Sequence, residues 1–499
     1  MVRLDIMQTI APRMQTATLP ATPVPRSDSL DSVSLRPMDL ILPMASTLLI
    51  QMVFLLWRPS LDGHEALVAQ TAREMVRSGD FLHPSFAGEP RWQKPPLAYW
   101  QVAGISWIMG RISPKVARLP SLIGAVAMTA LVVLLTRRFA SPSSARTAGV
   151  IHSFLPWTLV FGTSAIVDMT LSLLVASCIV VATSKRITTR HRIIFAWSLA
   201  ALSILAKGPI GPAVILGALV PYSCATTRRL VDRRSAQHHA VGLLVAFLVA
   251  GTWPLLVLLD DPSIARGWWE QSVGRFAEHW GEQTREWYYY FYQVPALVGP
   301  AFVLTVVGMI RSPHRMLLGW FGFTFFLLSF SEGKRDHYIL PALLPCSVWA
   351  GLGWAYVSHR YRNPRWQKWV SMSISLVMLL ATAASLKILP GQNDPMSPLQ
   401  KMARRQRTAI NQAPSIAQIG SNNHATAFIL DRPMRWYPDI ERCLATNPRV
   451  DLLLIMNRPS LTVPTTWRLI DQEASSDSKD SFRLYEQVRP RTSDHAAKH

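Results

Sequence analysis

Apolar runs of bilayer length alternate with short polar stretches from residue 39 to residue 388. A helix needs ~20 apolar residues to cross a hydrocarbon core. Eleven runs qualify or nearly so: 39–57, 117–136, 145–163, 166–184, 193–207, 209–225, 239–259, 288–310, 315–331, 338–357 and 368–388. The first polar interval, 58–116, is long and patterned. In "SLDGHEALVAQTAREM", Val68, Ala72, Met75 and Val76 recur on one helical face, while Gln70, Arg73, Glu74 and Arg77 fall on the other. Asp62 is placed to cap this helix, Glu65 three residues on completes a capping box, and Gly79 ends it. A second apolar segment, 97–109, carries Tyr99, Trp100 and Trp107 but is too short to span, and is expected to lie in the membrane interface.

From 389 the period changes. "ATAFILD", "VDLLLIMN", "TWRLIDQ" and "SFRLYEQ" read as strands, and "QKMARRQRTAINQ" as helix. Residues 1–38 are polar and read as a disordered cytoplasmic tail or an overlong start, without the pattern of a cleaved signal peptide. The expected architecture is therefore an all-α polytopic membrane domain over 39–388, with about eleven spans and amphipathic helices in the first outer loop. A small outward-facing soluble α/β domain over 389–499 completes it.

Charge fixes the expected orientation. The formal net charge of +21 on 499 residues could point to nucleic acid. The basic residues instead cluster between apolar runs, so nucleic acid is rejected as a partner. With the N-terminus cytoplasmic, the even junctions carry Arg137, Arg138 and Arg146; Lys185, Arg186, Arg190 and Arg192; Arg228, Arg229, Arg233 and Arg234; Arg311 and Arg315; and Arg360, Arg362, Arg365 and Lys368. This is the positive-inside pattern, repeated. The odd junctions then face outward, in the periplasm or the extracellular space, and the protein is expected in the inner (plasma) membrane. Of four cysteines, Cys178, Cys224 and Cys346 lie in or beside apolar runs and read as core, so neither a disulfide framework nor a metal spacing follows.

The outward side gathers the groups with chemistry. Lys207 in "ILAKGPIGP" ends an apolar run, where a lysine either snorkels or binds something in a pathway. Asp168 in "SAIVDMTLSL" is explained equally by a helix cap. Lys334 and Arg335 break the basic-inside rule in a very short turn and invite an anion such as a lipid phosphate. Asp62, His64 and Glu65 place acid–base groups at the membrane surface. Cations for phosphate beside a carboxylate for proton transfer point to transfer from a lipid-phosphate donor.

"EALVAQTAREMVRSGDFL", "GEPRWQKPPLAYW", "ARLPSL", "VDMTLSL", "LAKGPIG", "RF" after the aromatic pair and "GKRDHYILPALLP" occur in this order over about residues 40–345. In that combination they resemble the aminoarabinose transferase and protein mannosyltransferase superfamily of integral membrane glycosyltransferases, which have the GT-C fold. The resemblance implies a sugar donor on a polyisoprenyl phosphate carrier, a lipid or protein acceptor, and inversion at the anomeric carbon. It implies that Lys94 and Lys207 contact the carrier phosphate, that Tyr338 lines the same cavity, and that Asp168 organises the site. Arg275, Lys334 and Arg335 are placed with the phosphate-binding set. Two positions depart from the family: an adjacent Asp-Glu pair is His64–Glu65 here, with Asp62 two residues upstream, and "EKPP" is "QKPP", so Gln93 replaces a carboxylate. The proton acceptor is left among Glu65, Asp62 and His64. Fewer carboxylates weaken any metal site, so no metal ligand is assigned and a divalent ion stays an option. A lipid-linked sugar flippase and a catalytically impaired envelope scaffold are the rival readings.

Overall fold

The structure, a computed structural model, describes residues 35–58, 60–225, 235–270, 285–360, 397–458, 460–474 and 481–488. Among these residues, four helices are long and apolar enough to cross a bilayer: Pro37–Trp57, Pro114–Thr136, Ala236–Asp260 and Tyr289–Arg311. A fifth is added if Asp336–Ala342 and Leu344–Arg360, bent by 59°, count as one span. Val167–Ala182, Ile210–Ala225 and Arg315–Ser329 are apolar but shorter, and Thr189–Lys207 carries charges at both ends. The chain is a multi-pass membrane protein. The expected run 145–163 is not one helix. It breaks into Pro142–Ser153 and Pro156–Phe161, because Pro156 has no N–H to continue the ladder. The expected run 368–388 and the basic loop at 228–234 lie outside the described residues.

The first span shows how such a bundle is held. Its outward face is Leu48, Leu49, Met52, Val53 and Leu56, all exposed, which is what lipid contact requires. Its inward face sets Thr47 and Gln51 among the apolar Pro43, Phe54 and Leu55. The buried Thr47 hydroxyl bonds Thr129 at 2.7 Å and Ser153 at 2.8 Å, and the Gln51 amide donates to the Thr158 carbonyl at 2.6 Å. Between helices in lipid, small polar side chains paired with one another supply specificity that apolar contact cannot. Helices Phe302–Arg311 and Leu344–Arg360 approach even closer: a Cβ on Gly308 or Gly353 would strike the facing carbonyl of Trp349 or Leu304.

The loops sort to two ends. At one end Arg146 pairs with Asp39 at 3.1 Å, Arg138 donates to the Val180 carbonyl at 2.7 Å, and Phe139 stacks on His314. At the other end Arg58 donates to the Thr163 carbonyl at 3.0 Å, Lys207 pairs with Asp168, and the Tyr290 hydroxyl donates to the Arg335 carbonyl at 2.9 Å. Among the described residues, the junctions after the second, fourth and eighth runs thus share one end, and those after the first, third, fifth and ninth the other.

The helix Gly63–Ser78 begins with Asp62 as N-cap, forms the reciprocal box with Glu65, and stops at Gly79 in the left-handed region (φ 73°). Its faces differ from the expected split. Gln70 is buried and Val76 is exposed, because the helix is wedged between the bundle and the C-terminal domain. After it, the two-residue strands β1 (Ser85–Phe86) and β2 (Glu89–Pro90) form a hairpin turning at Ala87 and Gly88, both with positive φ. Glu74 holds that turn by accepting from Ser85 Oγ at 2.6 Å and from the Ala87 amide at 2.7 Å. The 97–109 segment is a helix, with Ala98, Tyr99 and Val102 buried and Trp107 and Ile108 exposed at its end.

In the C-terminal region, helices Ser397–Arg405 and Arg407–Gln412 precede a five-stranded mixed sheet. The strands β3 (Ile416–Gly420), β4 (Arg435–Tyr437), β5 (Leu452–Met456), β6 (Trp467–Ala474) and β7 (Ser481–Gln487) run in the order β4-β3-β5-β7-β6. β3 is parallel to β4 and β5, while β7 is antiparallel to β5 and β6. "ATAFILD", expected as a strand, is instead the helix Ala425–Leu430, begun by Asn423 Oδ1 accepting from the Ala425 amide at 2.9 Å. A short apolar run carries no period that separates the two states. Cys224, expected in the core, is exposed.

Candidate functional site

Two adjoining cavities open at the end of the bundle where the odd junctions meet. The larger, about 520 Å³, is mostly apolar, walled by Trp92, Leu171, Leu205, Trp253, Trp268 and Leu328. The smaller, about 230 Å³, is polar and holds His64, Arg91, Asp168, Arg335, His337 and His424. Gln93, Lys94 and Tyr338 line both and form the seam between them.

Indole N–H groups position that seam. Trp100 donates to the Phe81 carbonyl at 2.9 Å, Trp253 to Leu82 at 3.0 Å and Trp268 to Trp92 at 2.8 Å. Three rings on three helices thereby fix the segment that ends in Gln93 and Lys94. His83, between Asp80 and Asp260 at 2.8 Å from each, ties the same segment to the end of Ala236–Asp260.

Lys207 closes its helix at Gly208, whose φ of 75° turns the chain into Ile210–Ala225 at a torsion that residues with a Cβ rarely adopt. The ammonium bonds Asp168 and lies 4.0 Å from the centre of the Tyr338 ring. Asp168 is at the second position of Val167–Ala182, not at the cap, which is Ile166. Its side chain caps nothing. It faces Lys207 and, at 3.9 Å, the Nε2 of His337, and the charge of Lys94 acts on it as well.

The expected acid trio is divided. Glu65 is fully buried and accepts from Arg118 Nε at 2.8 Å, Arg118 Nη2 at 2.7 Å, the Ala165 amide at 2.9 Å and the Asp62 amide at 3.1 Å. Burial alone would raise its pKa. The hydrogen bonds and charge of Arg118, then the charge of Arg58, outweigh burial and hold it below the usual carboxylate range. Its carboxylate is thus engaged by four donors and lines neither cavity. Asp62 is engaged as the cap, at 2.7 Å from the Glu65 amide, and lines neither cavity. Only His64 of the three faces the polar cavity. Although its outer edge is exposed, enclosure by the cavity wall, then the positive charge of Arg335, lowers its pKa to about 4. It is therefore neutral at pH 7 and takes a hydrogen bond from the Arg335 guanidinium.

Arg335 lines the polar cavity, but Lys334 does not. It is buried and donates to the Arg285 carbonyl at 3.0 Å, away from both cavities. Arg275 lies outside the described residues. Three cavity residues escaped the sequence reading, His337, Arg91 and His424, as did Arg118, which holds Glu65. Arg118 had a signal, being a charge inside an apolar run. Arg91, bonded to the Tyr99 hydroxyl at 3.1 Å, sits inside the quoted "GEPRWQKPP". Among the described residues no group of three or more His, Cys, Asp or Glu is arranged to hold a metal ion.

An apolar cavity thus joins a cation-lined polar one at one end of a broken-helix bundle, under a small α/β domain. The chain resembles the aminoarabinose transferase and protein mannosyltransferase superfamily in sequence and shares its fold. Residues 93–253 match the dolichyl-phosphate-mannose-protein mannosyltransferase family. An undecaprenyl phosphate-alpha-4-amino-4-deoxy-L-arabinose arabinosyl transferase of Serratia proteamaculans is 26% identical over 310 residues, 59% of this chain and 54% of that protein. One from Pseudomonas fluorescens is 28% identical over 317 residues, covering 59% and 52%. The chain thus spans about half the length of these relatives. Among solved structures, ArnT of Cupriavidus metallidurans bound to undecaprenyl phosphate aligns with a TM-score of 0.68 at 16% identity, over 89% of this chain and 97% of that one. The Archaeoglobus fulgidus oligosaccharyltransferase aligns at 0.60 and 13%, over 85% and 70%.

Proposed function

We propose that this protein transfers a sugar from a polyisoprenyl phosphate carrier to a hydroxyl of an envelope lipid or protein, on the non-cytosolic face of the membrane. The observation that carries this reading is the seam. Lys94 and Tyr338, with Lys207 beside them, stand where an apolar cavity suited to a prenyl chain meets a polar one suited to a sugar. The phosphate would sit at these ammonium groups, with the prenyl chain in the apolar cavity and the sugar beside Asp168 and His337.

In the transfer, the acceptor oxygen forms a bond to the anomeric carbon as that carbon's bond to the phosphate oxygen breaks. Carrier phosphate leaves with the bonding pair, and Lys94 and Lys207 stabilise the charge it gains. Attack opposite the leaving group inverts the anomeric centre. The acceptor proton passes to His337, whose Nε2 faces Asp168, or to Asp168 directly. Arg335 and Arg91 orient the polar partner. The wider reading carries about eleven spans, the N-terminus in the cytoplasm of an inner-membrane protein, and the C-terminal domain from about 389 on the outer side. The sorting of basic and chemical loops to opposite ends supports it.

The test uses purified protein in lipid nanodiscs with undecaprenyl phosphate carrying each of several labelled sugars. Transfer should release carrier phosphate and place label in a new glycosidic bond. Lys94→Ala and Lys207→Ala should slow this by about a hundredfold or more while the protein remains monodisperse. Movement of intact carrier-linked sugar between leaflets without bond change would instead favour a flippase.

A further inference from the structure

A third cavity, of about 440 Å³, lies between the β1–β2 hairpin and the C-terminal sheet, within the size range of small-ligand sites. Its wall is of a different kind from the first two. Gln418, Asn422 and Thr446 present neutral donors and acceptors. Gln418 is held in place by Thr426 Oγ1, which donates to it at 2.5 Å, and by its own bond to the Ser421 carbonyl at 2.6 Å. Trp436, on the edge strand β4, is 43% exposed, and its N–H donates to the Gly420 carbonyl at 2.7 Å. That bond fixes the ring at its polar edge and leaves aromatic surface on the cavity. Tyr437 and Phe86 extend the aromatic wall.

The charges on this wall cancel. Arg435 is answered by Glu89 at 2.5 Å. Burial, then the nearby charge of Arg91, lowers the pKa of His424. Among the described residues of this wall an anion finds no cation without a carboxylate partner, whereas a polyhydroxylated ring finds an aromatic surface and planar amides. His424 also lines the polar cavity that contains Asp168 and His337. His424 thus stands on the wall of both cavities.

We propose that this interdomain cavity is a carbohydrate subsite, holding an uncharged sugar ring of the acceptor with Trp436 as its stacking surface and Asn422 and Gln418 on its hydroxyls. The proposal rests on the transferase reading and names its acceptor class: a glycan or glycolipid whose penultimate sugar is neutral. His424 is the divider between the ring that is held and the ring that reacts.

The full chain in nanodiscs, without any donor, is titrated with chitobiose, maltose and galactobiose, read by saturation-transfer NMR, with inorganic phosphate as the anionic comparison. At least one disaccharide should bind saturably. Trp436→Ala should weaken it by about tenfold or more, the size typical of an interfacial tryptophan. Asn422→Ala, at an exposed position, should weaken the same sugar without touching the fold, and Lys207→Ala should leave it unchanged. Absence of saturable binding by all three sugars, undiminished binding in both variants, or displacement of the disaccharide by phosphate would each overturn the subsite. Disaccharide binding with no transfer from any carrier-linked sugar would remove the transferase reading and leave the subsite standing. Transfer without disaccharide binding would do the reverse.

Discussion

Glu65–Arg118 and Asp168–Lys207 are both carboxylate–cation pairs withdrawn from water at the same end of the bundle, and they are built differently. In the first, both side chains are fully buried and the carboxylate has four donors besides its long contact to Arg58. In the second, the carboxylate faces one ammonium, one imidazole at 3.9 Å and an open cavity. The guanidinium of Arg118 also donates to the carbonyls of Arg58, at 2.6 Å, and of Ser60. It thus staples the first span to the outer loop. The lysine of the second pair has ring surface on one side and space on the other. A saturated buried pair fixes geometry; an unsaturated one at a cavity is available to a substrate.

The largest expected effect follows from that saturation. Arg118→Met leaves an uncompensated buried anion at Glu65 and should cost about 3–5 kcal/mol, seen as loss of monodisperse protein or a collapsed melting temperature. Adding Glu65→Leu should recover much of the loss, because the charge goes with its partner. If Arg118→Met melted like the parent protein yet lost transfer, the two pairs would not differ in kind.

Next in size, Lys207→Ala and Asp168→Asn should each lower kcat by about a hundred- to a thousandfold, the usual worth of a group that stabilises charge formed in the reaction. Their melting curves should fall less than that of Arg118→Met, since each remaining partner keeps another neighbour, Tyr338 for Lys207 and His337 for Asp168. A fall in melting temperature as deep as that of Arg118→Met would mean that Asp168 and Lys207 also serve only to hold the bundle.

Part of this contrast is legible in the chain and part is not. The Asp62–Glu65 box spans three residues, so local spacing suffices to read it. The two ends of the bundle are legible because basic loops recur with the period of the spans. Which of His64 and Glu65 meets the cavity is not legible, since neighbours on a helix point about 100° apart and nothing local says which direction is open. The answer is Arg118, more than fifty positions away in sequence, which claims Glu65 and leaves His64 to the cavity. Asp168 fits a cap pattern, yet Lys207 on the next helix takes its carboxylate, so a tertiary partner overrides a local preference. His337 adjoins Tyr338 in a quoted motif. Its relevance depends on its distance from Asp168, which only the fold supplies.

A smaller effect separates the two regions by pH. His64 titrates at about 4 in the folded protein against about 6.5 when unfolded. Between these values the unfolded chain binds more protons, so stability is complete above 6.5 and declines as pH falls toward 4. His64→Gln should remove this part of the acid sensitivity, and the drop in melting temperature from pH 7 to pH 4.5 should shrink. An unchanged drop would show that the ring is solvated and that Arg335 does not bear on it.

The smallest effect concerns a third pair, which tests whether distance alone makes an ion pair matter. Arg77 meets Asp431 at 2.5 Å and Arg73 meets it at 2.9 Å, joining the outer-loop helix to the C-terminal domain. These contacts are as short as those of Arg118. But the Arg77 and Asp431 side chains are 55% and 42% exposed, so water replaces whatever is removed. A double-mutant cycle on Arg77→Ala and Asp431→Ala should give a coupling below about 1 kcal/mol, falling further in high salt. Arg73 should behave differently, because its guanidinium also donates to the Phe428 carbonyl at 3.0 Å and lies 3.8 Å from the Phe428 ring centre. Arg73→Ala should therefore loosen the domain contact more than Arg77→Ala does, by a margin that salt does not erase. Equal, salt-sensitive losses for the two arginines would assign the domain contact to charge alone, and burial would no longer explain why the Glu65 pair dominates.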